Sequence, residues 1–218
     1  MSATLGILVI IGIGLLVIFL NKKPDQVSER TTRFATQLEK LWRIQNDALR
    51  THKIQRAEKA LLMILRVDER NAAAYNRLGM IFAKQLNFDD AIECFEIAQS
   101  LDPTASSYHN VGLVYMEKGD LEKAMLALKQ AMELEPDLAF RHISYAQILE
   151  RIGDKKTMIE ELEKAVELEP TPQILKILAE AYDEDDRVVL AASARDKARD
   201  LDVPGTQKTI SQPNKAVI

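Results

Sequence analysis

Three histidines and one cysteine are the side chains of this sequence best suited to ligating a metal or acting as nucleophile or base, and their spacing favours neither role. His52, His109 and His142 lie far apart, and none has a His, Cys or Glu partner at metal-ligand spacing. No GxSxG elbow, glycine-rich phosphate loop or HExxH pair occurs. Cys94 stands beside Phe95 with no Lys, Arg or His near it in sequence to stabilise a thiolate, so a small buried hydrophobe is expected there. As the only cysteine, it excludes an intrachain disulfide. The acidic run Asp183-Glu184-Asp185-Asp186 lacks the alternating ligands and the glycine of a calcium loop. Such residues suit a turn before a helix, whose N-terminus favours negative charge. The expectation is a protein that is not an enzyme, with no catalytic residue, cofactor or metal.

What remains is recognition chemistry, and a repeat must position it. A small-residue slot runs Ala57, Ala91, Ala124, Met158, Ala191, at steps of 34, 33, 34 and 33. A second runs Ile64, Ala98, Ala131, Ala165, Ala198 in the same register, and a third runs Gly79, Gly112, Ala146, Ala179. Pro103, Pro136 and Pro170 mark repeat ends, where a missing N–H does little harm and a helix cannot continue. Small residues at contact points let two helices approach to roughly 8–10 Å. Phe82, Phe95, Tyr115 and Leu128 lie between them to fill the remaining space. Lys118-Gly119-Asp120 and Ile152-Gly153-Asp154 read as turns, each a permissive Gly followed by an Asp able to cap the next helix. A period of about 34 residues with two helices per unit predicts a stack of hairpins whose function sits on a surface.

The pattern resembles the tetratricopeptide repeat. Residues 72–104 carry Tyr75, Leu78, Gly79, Phe82, Ala91, Phe95, Ala98 and Pro103, and residues 105–138 carry Tyr108, Val111, Gly112, Tyr115, Ala124, Leu128, Ala131 and Pro136. Copy 139–171 keeps Tyr145, Ala146, Leu149, Leu162, Ala165 and Pro170. Copy 172–204 keeps Leu175, Leu178, Ala179, Tyr182, Ala191 and Ala198, with its proline displaced to Pro204. The first copy, 38–71, keeps only Leu41, Ala57 and Leu61. The resemblance implies an all-α, right-handed α-solenoid of about five hairpins over residues 38–204. Arg195 replaces the bulky residue of the last copy, and with Asp196, Lys197 and Arg199 it reads as a polar end cap.

The same resemblance implies where a protein or peptide client binds. In this family the first helices of successive hairpins line a concave groove, at helix positions 2, 5, 6, 9, 12 and 13. Carried over slot by slot, these give Asn76, Arg77, Met80 and Lys84, then His109, Asn110, Leu113, Met116 and Glu117, then Phe140, Ile143, Ser144, Gln147 and Arg151. Trp42, Arg43 and Asn46 open the groove, and Lys176 and Glu180 close it. Met80, Leu113, Met116, Phe140 and Ile143 form an apolar swath, and exposed apolar patches mark binding sites; the competing reading packs some of them between repeats. The Lys/Asn/Asn/Lys/Arg clamp by which some members hold acidic chaperone tails is not reproduced. Asn110 fills one slot, but the others hold Asn76, Met80, Phe140 and Ser144.

Outside the repeats, Met1–Leu20 contain no charged side chain and just reach the roughly 20 residues that span a bilayer. Lys22 and Lys23 follow at once, so the positive-inside rule predicts a single-pass anchor with its amino end outside and the repeats cytoplasmic. A cleaved signal peptide is the alternative, against which stand the lack of Lys or Arg in Met1-Ser2-Ala3-Thr4 and of an Ala-x-Ala site. Residues 21–37 read as a juxtamembrane linker and 205–218 as a disordered tail. A net charge of −4 and a pI near 5.5 disfavour nucleic acid as a partner. Three functional readings follow: a membrane-tethered adaptor that binds its client in the groove, an exported repeat protein serving envelope assembly, and a self-associating structural module.

Overall fold

The computed structural model describes residues 31–202, and every element among them is helical or a turn. A helix covers 31–50 (α1), so residues 31–37, within the stretch read as linker, are already helical. It is followed by α2 (Ile54–Val67), α3 (Ala72–Lys84), α4 (Phe88–Leu101), α5 (Ala105–Lys118), α6 (Leu121–Leu134), α7 (Ala139–Ile152), α8 (Lys155–Leu168), α9 (Pro172–Glu184) and α10 (Val188–Asp202). No described helix is long and apolar enough to cross a membrane. The expected anchor at Met1–Leu20 and the tail at Gly205–Ile218 lie outside the described residues, as does Pro204.

The chain divides into two compact units, and the boundary between Leu78 and Gly79 falls inside α3. In the first unit, Leu41, Gln45 and Ala48 of α1 and Ala57, Ala60, Leu61 and Ile64 of α2 are buried. In the second unit α5 packs on α6, α7 on α8 and α9 on α10, while α4 meets α5, α6 meets α7 and α8 meets α9. Hairpins thus stack in chain order, each second helix resting on the first helix of the next hairpin. One cluster spanning α5 to α10 includes Met116, Leu128, Tyr145, Leu149, Met158, Leu162, Leu178 and Tyr182; another joins Ala91, Phe95, Val111, Val114 and Ala127.

The residue slots explain the packing. Every member of the three periodic small-residue rows is buried. At Gly79 an added Cβ would lie 2.9 Å from the Phe95 ring, and at Gly112 it would lie 3.0 Å from Leu128 Cγ and 3.3 Å from the Ala124 carbonyl oxygen. A glycine on the first helix therefore makes room for a bulky side chain on the second.

Helix ends follow from the same repeat. Asp120 and Asp154 accept from the backbone N–H of Lys123 and Thr157, capping α6 and α8 as expected. Thr104 and Ser107 form a reciprocal capping box on α5, and Thr171 caps α9 with Pro172 in its first turn. The turn inside each hairpin closes in one way: two backbone N–H groups reach back to the helix, as in His52 to Leu49 and Lys53 to Ala48, or Gly119 to Met116 and Asp120 to Tyr115. The residue at the bend takes positive φ at His52, Leu86, Gly119, Gly153 and Asp186, again 33 or 34 apart. Only two of the five are glycine.

Second helices are also tied to the next hairpin by side chains 19 residues apart. The Tyr115 hydroxyl donates to Glu96 at 3.1 Å, and that of Tyr182 donates to Glu163 at 2.6 Å. Burial, then the neighbouring carboxylate, pushes both phenols up to about 12. His142 Nδ1 lies 2.6 Å from Glu161 Oε2 and its Nε2 lies 2.9 Å from the Pro136 carbonyl oxygen. Both neighbours are acceptors, so the ring serves both only when it carries both protons.

Gly112→Leu is expected to lower the Tm by several degrees, through an overpacking cost of about 1–3 kcal/mol. Thermal melts followed by circular dichroism measure this, and an unchanged melt would refute the close approach of α5 and α6.

Candidate functional site

The first helices of successive hairpins carry the residues expected to meet a client, and the structure sorts them. Asn76 and Arg77 belong to the first unit. Arg77 is half-buried; its guanidinium lies 4.8 Å from the Trp42 ring centroid, donates to Asn46 Oδ1 at 2.6 Å and also reaches Gln45 Oε1. Trp42 and Arg77 thus brace one another.

In the second unit Met80 is 42% exposed and Phe140 is 47% exposed. Lys84, Gln147 and Arg151 are exposed, whereas Asn110, Leu113 and Ile143 are half-buried. His109 and Met116 do not lie on the open surface. His109 is only 8% exposed, with its ring edge-on to Phe140 at 4.9 Å between centroids, and Met116 sits in the core cluster below. Of the expected apolar swath, Met116 therefore packs in the core.

A cavity of about 230 Å³ opens between α3 and α5. Its apolar walls are Met80, Ala83, Leu113 and Val114, with Phe95 of α4, and Lys84, Asn110 and Glu117 bring polar groups to it. Leu86 and Phe88, from the turn between α3 and α4, complete the lining. Leu86 is 74% exposed and takes φ +61°, where Gly119 and Gly153 stand in later hairpins. Sequence reading passed over Leu86. The signal was present, because a leucine replaces glycine at a periodic turn position.

Around Phe140 the surface is braced from beneath. Arg141 is almost wholly buried, lies 5.3 Å from the Phe140 ring centroid, and donates to the Glu135 carbonyl oxygen at 2.9 Å and to Glu135 Oε2 at 2.7 Å. It ties the turn after α6 to the start of α7. Nothing in the repeat pattern singles it out. On the same face Arg151 reaches back to α5, with Nη1 donating to the Met116 carbonyl oxygen at 2.8 Å and Nη2 to Glu117 Oε1 at 3.3 Å.

The residues weighed for chemistry have structural surroundings. Cys94 is buried, and burial, then Glu93 and Asp90, pushes its thiol up to about 11, away from nucleophilic use. Arg195 pairs with Asp183, and Arg187 with Asp185, so the acidic run is partly neutralised locally. No group of three or more His, Cys, Asp or Glu suited to a metal occurs among the described residues.

His109 sets a pH dependence. Burial, then the Arg141 charge, holds its imidazole down to about 4, whereas an unfolded histidine titrates near 6.5. Between those values the unfolded chain binds a proton that the folded chain does not, so stability rises with pH and is lost as pH falls from about 6.5 towards 4. His109→Phe is expected to flatten the fall of Tm across that window relative to the unmodified chain. Parallel slopes would place the titration elsewhere.

Comparison with known proteins bears on the architecture. Tetratricopeptide-repeat family models match residues 72–104, and 105–138 with 142–172. No curated protein matches in sequence. Among solved structures, MamA residues 41-end from Desulfovibrio magneticus RS-1 superposes with a TM-score of 0.67 at 18% identity, covering 76% of this chain and 94% of that one. PilF of Pseudomonas aeruginosa gives a TM-score of 0.70 at 19% identity, covering 77% of each. YrrB, described as a TPR protein with an unusual peptide-binding site, gives 0.61 at 18% identity, covering 78% of this chain and 92% of that one. At these identities the likeness speaks to fold alone, an all-α stack of the kind that the tetratricopeptide-repeat models match over residues 72–138 and 142–172.

Proposed function

We propose that this chain is a protein-interaction scaffold that holds a peptide segment of its client against the first helices of its hairpins. The observation that carries this reading is Leu86. A left-handed conformation costs a non-glycine residue roughly 1–2 kcal/mol, and exposing a large apolar side chain there gains nothing within the described fold. His52 and Asp186 share this conformation in other hairpins, but only Leu86 combines it with an exposed, large apolar side chain, and that combination points to a use outside folding. Leu86 and exposed Met80 line one cavity, where they meet Leu113, Lys84, Asn110 and Glu117. An apolar client side chain would fill that cavity while the polar groups hold its backbone. YrrB, with a similar fold, is described as having a peptide-binding site.

We further propose that Met1–Leu20 anchors the scaffold as a single-pass membrane segment with the repeats on the cytoplasmic side, where tethering raises the local concentration of a bound client. The uncharged run followed by Lys22 and Lys23 supports this. The exported form differs in one measurable respect, since its product is shortened.

Leu86→Gly is expected to raise the Tm by about 1–3 °C while weakening client capture severalfold, and Met80→Glu is expected to abolish capture with helicity intact. Cross-linking pull-downs alongside thermal melts check both. Capture unchanged in the two folded variants would remove the cavity from the binding surface. A compartment-specific reporter fused after Ile218 is expected to report the cytoplasm from an uncleaved, membrane-bound chain, and a shortened exported product would overturn the topology.

A further inference from the structure

The α3–α5 cavity has a counterpart two hairpins on. A cavity of about 170 Å³ lies between α7 and α9, and seven of its ten lining positions correspond to the first at an offset of 67 residues, while Ile143, Ala146 and Met158 stand in place of Arg151, Gly153 and Lys155. Phe95 becomes Leu162, and the floor stays apolar with buried Met158 beside it. Asn110 becomes Ile177. Three apolar wall positions change character: Met80 becomes Gln147, Ala83 becomes Glu150 and Leu113 becomes Glu180. Glu117 is matched by Glu184. The same architectural pocket thus has mainly apolar walls in one place and, in the other, an apolar floor beneath three carboxylates.

Among the described residues no cation forms an ion pair with the rim carboxylates. Arg151, on α7, turns away to Glu117 and the Met116 carbonyl. Lys176 reaches Asp202 at 3.8 Å. Lys155 donates to the Glu184 main-chain oxygen at 3.0 Å, at the pocket's outer end. Among the described residues the Glu150 and Glu180 side chains form no ion pair. Apolar walls below a negative mouth complement an aliphatic stem that ends in a positive charge.

We propose that the α7–α9 cavity takes the side chain of a lysine or arginine carried by the client peptide. Its methylenes lie on Ile143, Ile177 and Leu162, and its cation lies among Glu150, Glu180 and Glu184. This rests on the reading of the first-helix face as a peptide-binding surface and supplies the chemistry of the partner: an apolar residue for one cavity and a basic residue for the other. The competing occupant is a second copy of this chain, whose first unit offers Lys40, Arg43, Arg50 and Arg56 around one cleft.

The test uses the purified full chain and fluorescent leucine-bearing peptides in which lysine, arginine, norleucine or glutamate is scanned through each position. Lysine or arginine is expected to bind tighter than norleucine at one position, by on the order of tenfold, with glutamate weakest. The gap should close at high salt and in the E150Q/E180Q variant, whose Tm should not change because both side chains are exposed. Binding with no preference for lysine over norleucine, or a preference that survives E150Q/E180Q, would overturn the pocket assignment and leave the groove standing. If no peptide binds, both readings fall. Sedimentation that shows a concentration-dependent dimer lost in E150Q/E180Q would give the cavity to a second copy and overturn the peptide assignment.

Discussion

Close approach of paired helices at a few shielded positions is the constraint on which the rest of this architecture depends. At Gly79 and Gly112 the first helix of a hairpin has no Cβ, and Phe95 and Leu128 of the second helix occupy the space. Where the first helix carries Ala146, the partner slot holds Leu162, and both belong to one core cluster. In the last hairpin the first helix carries Ala179 and the partner slot holds Arg195, which turns to the surface and pairs with Asp183. The hairpin keeps its shape while the interior side chain is replaced by an ion pair.

Because the packing slots hold the backbone constant, other positions are free to differ, and that freedom is where function is written. The ninth residue of the first helix runs Met80, Leu113, Gln147, Glu180, and the thirteenth runs Lys84, Glu117, Arg151, Glu184. The first row shows no preferred type, and the second is charged throughout with alternating sign. One scaffold position therefore presents apolar, polar and acidic groups in turn along the second unit. The bend position behaves similarly. Its backbone is the same in all five hairpins, yet it holds His52, Leu86, Gly119, Gly153 and Asp186. Glycine there is explained by conformation alone, whereas leucine needs another reason.

Ties between hairpins use contacts that no local pattern reveals. Tyr115 with Glu96 and Tyr182 with Glu163 join residues 19 apart, from a second helix to the first helix of the next hairpin, while His142 with Glu161, also 19 apart, joins the two helices of one hairpin. The Glu161 carboxyl illustrates the balance: burial pushes its pKa up, but hydrogen bonds from Lys164 and His142 outweigh that and hold it low. His142 looked isolated in sequence because its partners come from a neighbouring helix and from the turn after α6. Arg141 is a helical arginine, and its terminal nitrogens find their partners on Glu135 and the end of α6, contacts that a pattern along its own helix does not contain.

The sequence by itself determined the helical hairpins, their register and their ends. These depend on local properties: side-chain volume at fixed intervals, the conformational freedom of Gly119 and Gly153, and the hydrogen-bonding reach of Asp120 and Asp154. Which residues of a helix face stay open was decided only by tertiary structure. Position in a repeat says that His109, Met116 and Met80 point to one side, but whether a neighbour covers them depends on what the next hairpin places there. Phe140 and Arg141 enclose His109 and the core takes Met116, while Met80 keeps an open side beside Leu86. Burial is a property of pairs of elements, and a pattern read along one helix contains only half of each pair.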